Sequence, residues 1–436
     1  MTLRETVFWA FDRARGGHIK REILEIEAAV NQPSAKQQQD ALEAQLLHAG
    51  SNVPFYEHLR GIRKLEEFPV VNKATIKEAG DRFIATGTDI LSCTTASTSG
   101  STGTPFSILH DRRKRRRVSA DAIYWGRQAG YELGLPLAHL KVWSDRNRIT
   151  PATRRFRNII PIDTTKLTGE EILAALTAAA RNRPLSVISY ASSLDLLARS
   201  LESETFNGTR RSPLPRIASI VAQSEHLPSE ARRLLREHLG VDPVSRYGLE
   251  EIGIVGQQAR NGNNDYRVNS SSVVVEILED ASPEPAPPGR VGRIVVTELI
   301  NRAQPLIRYD TGDLGAFRVD EHGRLDTTKL AVVEGRKLDQ VYDADDRPLT
   351  SMVMYNLWWR FPEIRQYQLV QKGRADYLLR LNVSPGFNDE ADVIHRFKEI
   401  VGASANVEVE LTTESFVLSS GKRKSVVSNY KPAMQR

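Results

Sequence analysis

The sequence predicts an α/β protein: a large multi-subdomain N-terminal body with mixed sheets and flanking helices, followed by a small α+β C-terminal domain. Between about residues 120 and 335, short apolar runs alternate with helical patterns, which is typical of an α/β body with parallel strand pairing. The C-terminal region changes to a strand–helix–strand pattern. With 436 residues, 40% of them hydrophobic, the chain can bury a large core without disulfides or metals.

The N-terminal region is polar and helical as far as about residue 90. Two segments, EILEIEAAV and DALEAQLLHAG, place apolar residues at helical spacing, and Gly50 at the end of the second is a predicted C-terminal cap. A segment of different character, TTASTSGSTGTPFSIL, follows from Thr94 to Leu109. Its first part consists almost entirely of Thr, Ser and Gly, and its apolar end predicts a strand.

The body then alternates strands and helices. EEILAALTAAAR predicts a helix from about Glu170, while PLSVISYA and RIASIVAQS, the second starting at Arg216, predict buried strands. SEARRLLREHLG predicts a helix with Ser229 as its N-cap and Gly240 as its C-cap. Two further predicted strands, SVVVEILED and GRIVVTELI, are joined by the proline-rich ASPEPAPPGRVG. We favour a long turn between paired strands over a domain linker, because strand patterns flank this joint closely.

The C-terminal region has a pattern of its own. YLLRLNV alternates apolar and polar residues, NDEADVIHRFKEIVG predicts a helix that stops at Gly402, and NVEVELT alternates again. Strand, helix and strand make a small α+β unit. We place the boundary near Gly335–Asp339, which divides the chain into an N-terminal body of residues 1–335 and a C-terminal domain of residues 336–436.

Composition excludes several classes of protein. The 60 Lys and Arg against 54 Asp and Glu give a net charge of +6, which allows an anionic substrate but does not indicate nucleic acid as the main partner. Cys93 is the only cysteine, so an intrachain disulfide and a zinc site of several thiolates are excluded. The N-terminus lacks the apolar core of a signal peptide, and no apolar run approaches the roughly 18 residues of a membrane span. We therefore expect a cytoplasmic protein without a membrane span.

The densest run of charge is RRKRRR at residues 112–117. It could bind nucleic acid or another polyanion, and steep salt dependence of RNA or DNA binding would support that alternative. We favour a turn of solvated helix beside the Ser/Thr/Gly segment.

The Ser/Thr/Gly segment itself has a physical use. Glycines let backbone N–H groups approach an anion closely, and hydroxyls add donors that rotate to suit, so such a loop can wrap phosphate oxygens. A flexible linker is the alternative. The segment is not a Walker P-loop, because Gly100 is not followed by the spaced Gly-Lys-Ser/Thr of that motif.

Four segments together resemble a known superfamily. They are STSGSTGTP (Ser97–Pro105), SRYGLEE (Ser245–Glu251), LIRYDTGDLG (Leu306–Gly315) and VEGRKLD (Val333–Asp339). In order and spacing they resemble the core motifs of the adenylate-forming enzymes, which include acyl-CoA synthetases, nonribosomal adenylation domains and luciferases. VPFYEHL, LEEFPVVNKATIKE and SSGKRKSVV are similar to the phenylacetate–CoA ligase group, and within it to the capsule-biosynthesis-associated (CapK-like) subgroup. The resemblance runs from about residue 45 to about residue 428.

The resemblance implies ATP-dependent activation of a small-molecule carboxylic acid to an acyl-adenylate, with release of pyrophosphate, followed by transfer to coenzyme A. The alternatives are an amine or a carrier-protein thiol as acceptor, or a degenerate nucleotide-binding protein without ligase activity. The implied cofactors are ATP and Mg²⁺, with coenzyme A as a candidate. Zinc is not expected, because QQARNGNNDYRVN (Gln257–Asn269) offers neither Cys nor His. The resemblance also implies a mobile C-terminal domain, and a homodimer is left open.

The same resemblance assigns roles to motif residues. Tyr247 would stack on adenine, Gly248 would admit the substrate and Glu251 would hold magnesium. Asp313 would accept hydrogen bonds from both ribose hydroxyls, and Arg336 would reach the ribose or the phosphates. The residues assigned to the β- and γ-phosphates are Thr98, Ser99, Gly100, Ser101, Thr102 and Gly103.

Lys422 is the implied catalytic lysine, which would bridge the carboxylate and the α-phosphate during adenylation. Lys424 is a rival, and a flexible basic tail is the alternative. Ser224 and Glu225 lie in a segment that resembles the one lining adenine. By analogy, the carboxylate pocket is assigned to Tyr124, Ser189, Tyr190, Ala191 and Ala222. Tyr190 and the neighbouring Trp125 could equally be core aromatics.

Three positions depart from the pattern of the superfamily. Phe106 stands where many relatives carry a lysine, so one phosphate contact is lost or supplied elsewhere. Glu250 stands where a Thr or Ser usually contacts the α-phosphate, and Leu338 replaces an acid at the hinge. Two structural alternatives are a solvated helix start at Glu250–Glu251 and a turn formed by Asp310 and Asp313.

Overall fold

The computed structural model describes residues 2–98, 106–141, 143, 149–164, 167–206, 214–224, 226–260, 262–280, 282–334, 341–349, 357, 360–361, 363–384, 386–412 and 426–430, without the side chains of residues 98, 203–206, 348 and 365. The chain divides into two compact units. The first comprises Met1–Leu135 and Val244–Val333, and the second comprises Pro136–Pro243 and Glu334–Arg436. The predicted boundary near residue 335 coincides with the last of these divisions and stays a prediction as a domain boundary.

The helices are numbered in chain order. They are α1 (Leu3–Ala14), α2 (His18–Asn31), α3 (Ala35–Asn52), α4 (Lys73–Ala79), α5 (Arg112–Gln128), α6 (Pro151–Arg157), α7 (Gly169–Ala179), α8 (Ala191–Phe206), α9 (Ser229–Leu239) and α10 (Glu390–Val401). Side chains that accept backbone N–H bonds cap the starts of α1, α3, α4 and α5. Over the described part of the chain, no helix combines the length and the apolar character needed to cross a membrane.

The strands are also numbered in chain order. They are β1 (Thr94–Thr98), β2 (Phe106–His110), β3 (Leu137–Lys141), β4 (Ile159–Asp163), β5 (Leu185–Tyr190), β6 (Ile217–Gln223), β7 (Val244–Leu249), β8 (Gly253–Gln258), β9 (Tyr266–Val268), β10 (Val273–Leu278), β11 (Gly292–Glu298), β12 (Tyr309–Val319), β13 (Leu325–Glu334), β14 (Val341–Tyr342), β15 (Pro348–Leu349), β16 (Ile364–Gln371), β17 (Asp376–Val383), β18 (Asn406–Thr412) and β19 (Val426–Ser428).

In the first unit, seven strands lie in the order β10-β11-β12-β13-β9-β8-β7. Strands β10 and β11 pair antiparallel across the proline-rich joint, which confirms the predicted long turn. Strands β1 and β2 form a separate antiparallel pair, with Thr98 opposite Phe106, so the predicted strand after the Ser/Thr/Gly segment is also confirmed. The main core of the unit contains apolar residues of α3, β2, β7–β12 and the segment around α4.

In the second unit, β6-β5-β3-β4 form a parallel run, which confirms the predicted parallel pairing. Their core is formed with α7, α8 and α9. The C-terminal region has its own sheet in the order β18-β17-β16-β19 and its own apolar core. Leu379 and Leu381 on β17 pack there with Val393 and Phe397 of α10, and the helix ends at Gly402, all as predicted. The strand–helix–strand prediction is therefore confirmed, with further strands added.

Two predicted helix caps, Gly50 for α3 and Ser229 for α9, are wrong. Helix α3 continues through Gly50 to Asn52, and a Cβ on Gly50 would lie 2.7 Å from the carbonyl oxygen of Leu59. The glycine therefore permits a close backbone approach instead of capping the helix. Ser229 is the first residue of α9 and not its N-cap, which is Pro228. Gly240 caps that helix in the left-handed conformation, as predicted.

Candidate active site

The motif LIRYDTGDLG (Leu306–Gly315) leads into β12. Main-chain hydrogen bonds connect it to the segment before α4. The Val71 N–H donates to the carbonyl oxygen of Arg308 at 3.0 Å, and the Asp310 N–H donates to that of Val71 at 2.8 Å. These two bonds form an isolated parallel bridge between Val71 and Tyr309. The N-terminal part of α4 is thereby held beside the start of β12.

Glu251 lies in the turn between β7 and β8 and is almost fully buried. Its Oε1 accepts a hydrogen bond from the Tyr309 hydroxyl at 2.6 Å and pairs with Lys73 Nζ at 2.9 Å. Its carbonyl oxygen accepts a hydrogen bond from His110 Nε2 at 3.0 Å. Because a carbonyl oxygen can only accept, Nε2 is the donor in this bond, and burial lowers the pKa of the His110 ring. The carboxylate predicted to hold magnesium is thus buried and held in place by Tyr309 and Lys73.

Glu250, the neighbouring acid, is exposed. The pair lies in a turn between two strands, so the alternative of a solvated helix start is wrong. Gly248 also has a packing role, because a Cβ there would lie 2.8 Å from the carbonyl oxygen of Gly253.

Tyr247 and Asp313 are in contact. The Tyr247 hydroxyl donates to Asp313 Oδ2 at 2.9 Å and lies 3.3 Å from Thr311 Oγ1. Burial, and then the charge of Asp313, raise the pKa of Tyr247 well above its usual value, so the phenol keeps its proton and donates. The two residues assigned to adenine and ribose therefore form one hydrogen-bonded pair.

A bulge in β12 presents Asp313. Val295 pairs with Asp310 and Arg293 with Leu314, so three residues of β12 lie opposite one residue of β11. Gly312 adopts the left-handed region at φ 77°, and its N–H donates to Asp310 Oδ1 at 2.9 Å. Asp310 is therefore a turn residue, as the alternative of a turn formed by Asp310 and Asp313 predicts for this position. Its carboxylate also forms an ion pair with Arg293 at 2.6 Å.

The predicted carboxylate pocket is placed in part. Ser189 pairs with Ala222 and Tyr190 with Gln223 at the carboxyl ends of β5 and β6. Ala191 begins α8, and Ser224 follows β6 with a left-handed φ of 70°. The second unit thus brings these predicted residues to one edge of its parallel strands, where open α/β sheets bind ligands. Ser189, Ala191 and Ala222 are fully buried, whereas Tyr190 is half-buried.

Tyr124 lies in the first unit and is buried in a small core with residues of α2. Its ring meets that of Trp125 edge to face, with centroids 5.2 Å apart. For Trp125 the structure agrees with the core alternative. The assignment of Tyr124 to the pocket stays a prediction.

Several predicted site residues lie outside the described residues. They are Ser99, Gly100, Ser101, Thr102, Gly103, Glu225, Arg336, Lys422 and the side chain of Thr98. Their assigned roles stay predictions.

The basic run at residues 112–117 begins α5 and is not wholly solvated, which corrects the favoured interpretation. Lys114 is buried, pairs with Glu298 at 2.9 Å and donates to the carbonyl oxygen of Ile252. Arg117 is also buried and pairs with Glu22 at 2.6 Å. Lys114 therefore stabilises the turn that contains Glu251 through its bond to the carbonyl oxygen of the next residue, Ile252. The run offers fewer exposed charges to a polyanion than the sequence suggests.

Sequence reasoning missed Lys73 and His110 as neighbours of Glu251. Lys73 lies within the segment LEEFPVVNKATIKE, but nothing in that segment indicates a contact with Glu251, which is far away in sequence. The sequence did contain one indication that such a lysine exists. Because the expected lysine is absent at position 106, a substitute cation near the phosphate segment could have been sought.

The fold is similar to that of a solved acyl-CoA ligase. It superimposes on the crystal structure of 2-hydroxyisobutyryl-CoA ligase in the postadenylation state with a TM-score of 0.67 and 17% identity, over 91% of this chain and 90% of that chain. The predicted α/β fold class is thus confirmed.

Similarity in sequence to curated proteins is limited to parts of the chain. The phenylacetate-coenzyme A ligase of Thermus thermophilus is 38% identical over 87 residues, which cover 19% of this chain and 19% of the relative. That of Aromatoleum evansii is 26% identical over 218 residues, which cover 45% of this chain and 48% of the relative. The matched segments therefore span less than half the length of these curated relatives. No protein-family model matches the chain.

Proposed function

We propose that this protein uses ATP to convert a carboxylic acid into an acyl-adenylate, with release of pyrophosphate, and then transfers the acyl group to coenzyme A. The observation that carries the proposal is the hydrogen bond of the Tyr247 hydroxyl to Asp313, beside the buried carboxylate of Glu251. A base-stacking ring, a ribose acceptor and a metal-binding acid are the groups that a MgATP site requires. The fold and the phenylacetate-coenzyme A ligase relatives support the same reaction.

The residues of the site fit a nucleotide-bound magnesium ion. Glu251 supplies a hard oxygen, and magnesium commonly binds one or two carboxylates together with substrate phosphates. In the described residues no three acidic, His or Cys side chains gather as a metal site, so phosphate oxygens would complete the coordination. When bound, the ion neutralises charge on the phosphates during displacement at the α-phosphorus. Buried Glu251, oriented by Tyr309, would fix its place.

The remaining groups position the reactants. Because the Tyr247 hydroxyl binds Asp313, the orientation of the carboxylate that accepts the ribose hydroxyls is set before the nucleotide arrives. Lys422 would bring a positive charge to the carboxylate and the α-phosphate, and Arg336 would contact the ribose or phosphates. The acid itself would bind near the carboxyl ends of β5 and β6, at Ser189, Tyr190 and Ala222.

Finer assignments are also part of this proposal. We place the chain in the phenylacetate–CoA ligase-like group, with the capsule-biosynthesis-associated subgroup as the nearest likeness of its motifs. The partners would be a small carboxylate and coenzyme A, with an amine or a carrier-protein thiol as alternative acceptors. We expect a cytoplasmic, zinc-independent enzyme whose C-terminal domain, residues 336–436, moves between half-reactions.

The test is carboxylate-dependent exchange of labelled pyrophosphate into ATP over a panel of aromatic and aliphatic acids. We expect exchange with at least one acid and none without an acid. A degenerate nucleotide-binding protein is the second candidate, and the buried phenylalanine at the position of the loop lysine favours it. ATP binding without exchange for any acid would support that candidate and contradict the ligase proposal.

A further inference from the structure

Lys73 is held at the candidate site by its backbone. It is the first residue of α4, which is capped by Asn72, whose Oδ1 accepts the Ala74 and Thr75 N–H groups at 2.9 and 3.0 Å. Val71, two residues earlier, bridges to Tyr309. The position of Lys73 relative to the start of β12 is therefore fixed by main-chain bonds.

The Lys73 side chain meets Glu251 at the edge of the buried region. Lys73 Nζ lies 2.9 Å from Glu251 Oε1, and their side chains are 28% and 1% exposed. A buried carboxylate requires a compensating charge or donors, because its unpaired burial is costly. The ammonium supplies that charge while keeping contact with solvent, and its four-carbon stem allows it to turn to another acceptor.

Phe106 explains why a lysine from elsewhere is needed. The Phe106 ring is buried and lies parallel to the Tyr309 ring, with centroids 6.4 Å apart. Position 106 is thus part of the core and presents no cation. Lys73 Nζ lies 5.3 Å from the centroid of the Phe106 ring, beside the residue that directly follows the Ser/Thr/Gly segment.

We propose, given the ligase function proposed above, that Lys73 is the phosphate-binding lysine of this protein and replaces the missing lysine at position 106. Without nucleotide it neutralises Glu251. With MgATP bound, Glu251 would hold the divalent cation, and the Lys73 ammonium would turn from Glu251 to donate to an oxygen of the β- or γ-phosphate. Lys73 therefore exchanges one anion for another, and the buried carboxylate is never left without a positive neighbour.

The test compares MgATP with AMP, which lacks both outer phosphates. Lys73→Met should raise the Kd for MgATP about tenfold, as expected for loss of one charge-assisted contact worth ~1.4 kcal/mol. It should leave the Kd for AMP within about twofold. Lys73→Arg should keep most of the MgATP affinity. Lys77→Met, on the same short helix, is the matched control and should bind both nucleotides as the wild type does. Titration calorimetry measures all four proteins.

Two results would overturn the role of Lys73. One is a Lys73→Met protein with unchanged MgATP affinity. The other is an equal loss of MgATP and AMP affinity that Lys73→Arg does not restore, which indicates a purely structural ion pair. Wild-type protein that binds MgATP but shows no acid-dependent exchange would sink the ligase function alone, since the Lys73 comparison still stands. Wild-type protein that does not bind MgATP would overturn both.

Discussion

At the scale of single residues, the candidate site depends on side-chain bonds between residues far apart in sequence. Tyr247 and Asp313 are 66 positions apart, and Glu251 and Tyr309 are 58 apart. Each bond joins the β7–β8 region to the start of β12. Each also fixes a carboxylate that would otherwise rotate, which is the kind of preorganisation that nucleotide binding benefits from.

Asp313→Asn tests the ribose assignment. An amide has one oxygen acceptor instead of two, so we expect weaker binding of AMP and MgATP alike, each by about tenfold. Parallel titrations of both nucleotides measure this. Asp320→Asn, just beyond the end of β12, is the control. If Asp313→Asn weakens MgATP but spares AMP, Asp313 does not bind the ribose.

At the scale of elements, α5 shows how a basic run can be absorbed into a folded core. Lys114 and Arg117 are buried and pair with the buried Glu298 and the half-buried Glu22, respectively. Of the neighbouring arginines, Arg112, Arg113 and Arg115 are exposed. Asp121 of the same helix is buried and accepts hydrogen bonds from Asn269 at 2.9 Å and, more weakly, from Ser272. The helix therefore joins α2 and the β7–β9 region through charges as well as through apolar contacts.

Asp121 makes stability depend on pH. Burial raises its pKa to about 6 from 3.8, against the lowering effects of Asn269, Arg117, Lys114 and Ser272. The native state therefore holds this proton more tightly than the unfolded state does. Its stabilising contribution is complete below pH ~4 and is lost as the pH rises through ~6.

Asp121→Asn should remove this dependence. We expect the difference in free energy of unfolding, variant minus wild type, to grow by up to ~3 kcal/mol between pH 4 and pH 7. Urea unfolding at several pH values measures it. A difference that stays constant with pH would show that Asp121 titrates normally.

Gly50→Ala tests the close approach of α3 to the segment after it. Alanine favours a helix by ~1 kcal/mol, but its Cβ would meet a backbone carbonyl that cannot turn away. We expect a net loss of ~1–2 kcal/mol, seen as a lower urea midpoint. Ser51→Ala, at the exposed neighbouring position, is the control. An equal or higher midpoint for Gly50→Ala would mean that the backbone can shift.

At the scale of the whole molecule, the chain separates its predicted tasks. The first unit carries Tyr247, Glu251 and Asp313, and the second carries the parallel strands with Ser189 and Tyr190. The C-terminal region has its own sheet and core. A region with its own core can carry a catalytic residue on a movable body, which is what the assignment of Lys422 requires.

Lys422→Ala tests that division of labour. We expect loss of acid-dependent pyrophosphate exchange by a factor of about 100 or more, because a charge at the α-phosphate is removed. Transfer from a presynthesised acyl-adenylate to coenzyme A should persist. Lys424→Ala is the control and should keep both half-reactions. If Lys424→Ala fails and Lys422→Ala does not, the catalytic lysine is Lys424.

The sequence by itself determined the alternation of strands and helices in the body, its parallel strand pairing, the strand–helix–strand pattern of the C-terminal region and the motifs around Tyr247 and Asp313. These follow from local periodicity, capping residues and motif spacing, all of which are present in short stretches of chain. Only the tertiary structure decided that Lys73 neutralises Glu251, that Lys114 and Arg117 are buried, and that Gly50 lies inside a helix. Those outcomes depend on which distant residues meet and on how much water remains between them, and no local pattern encodes either.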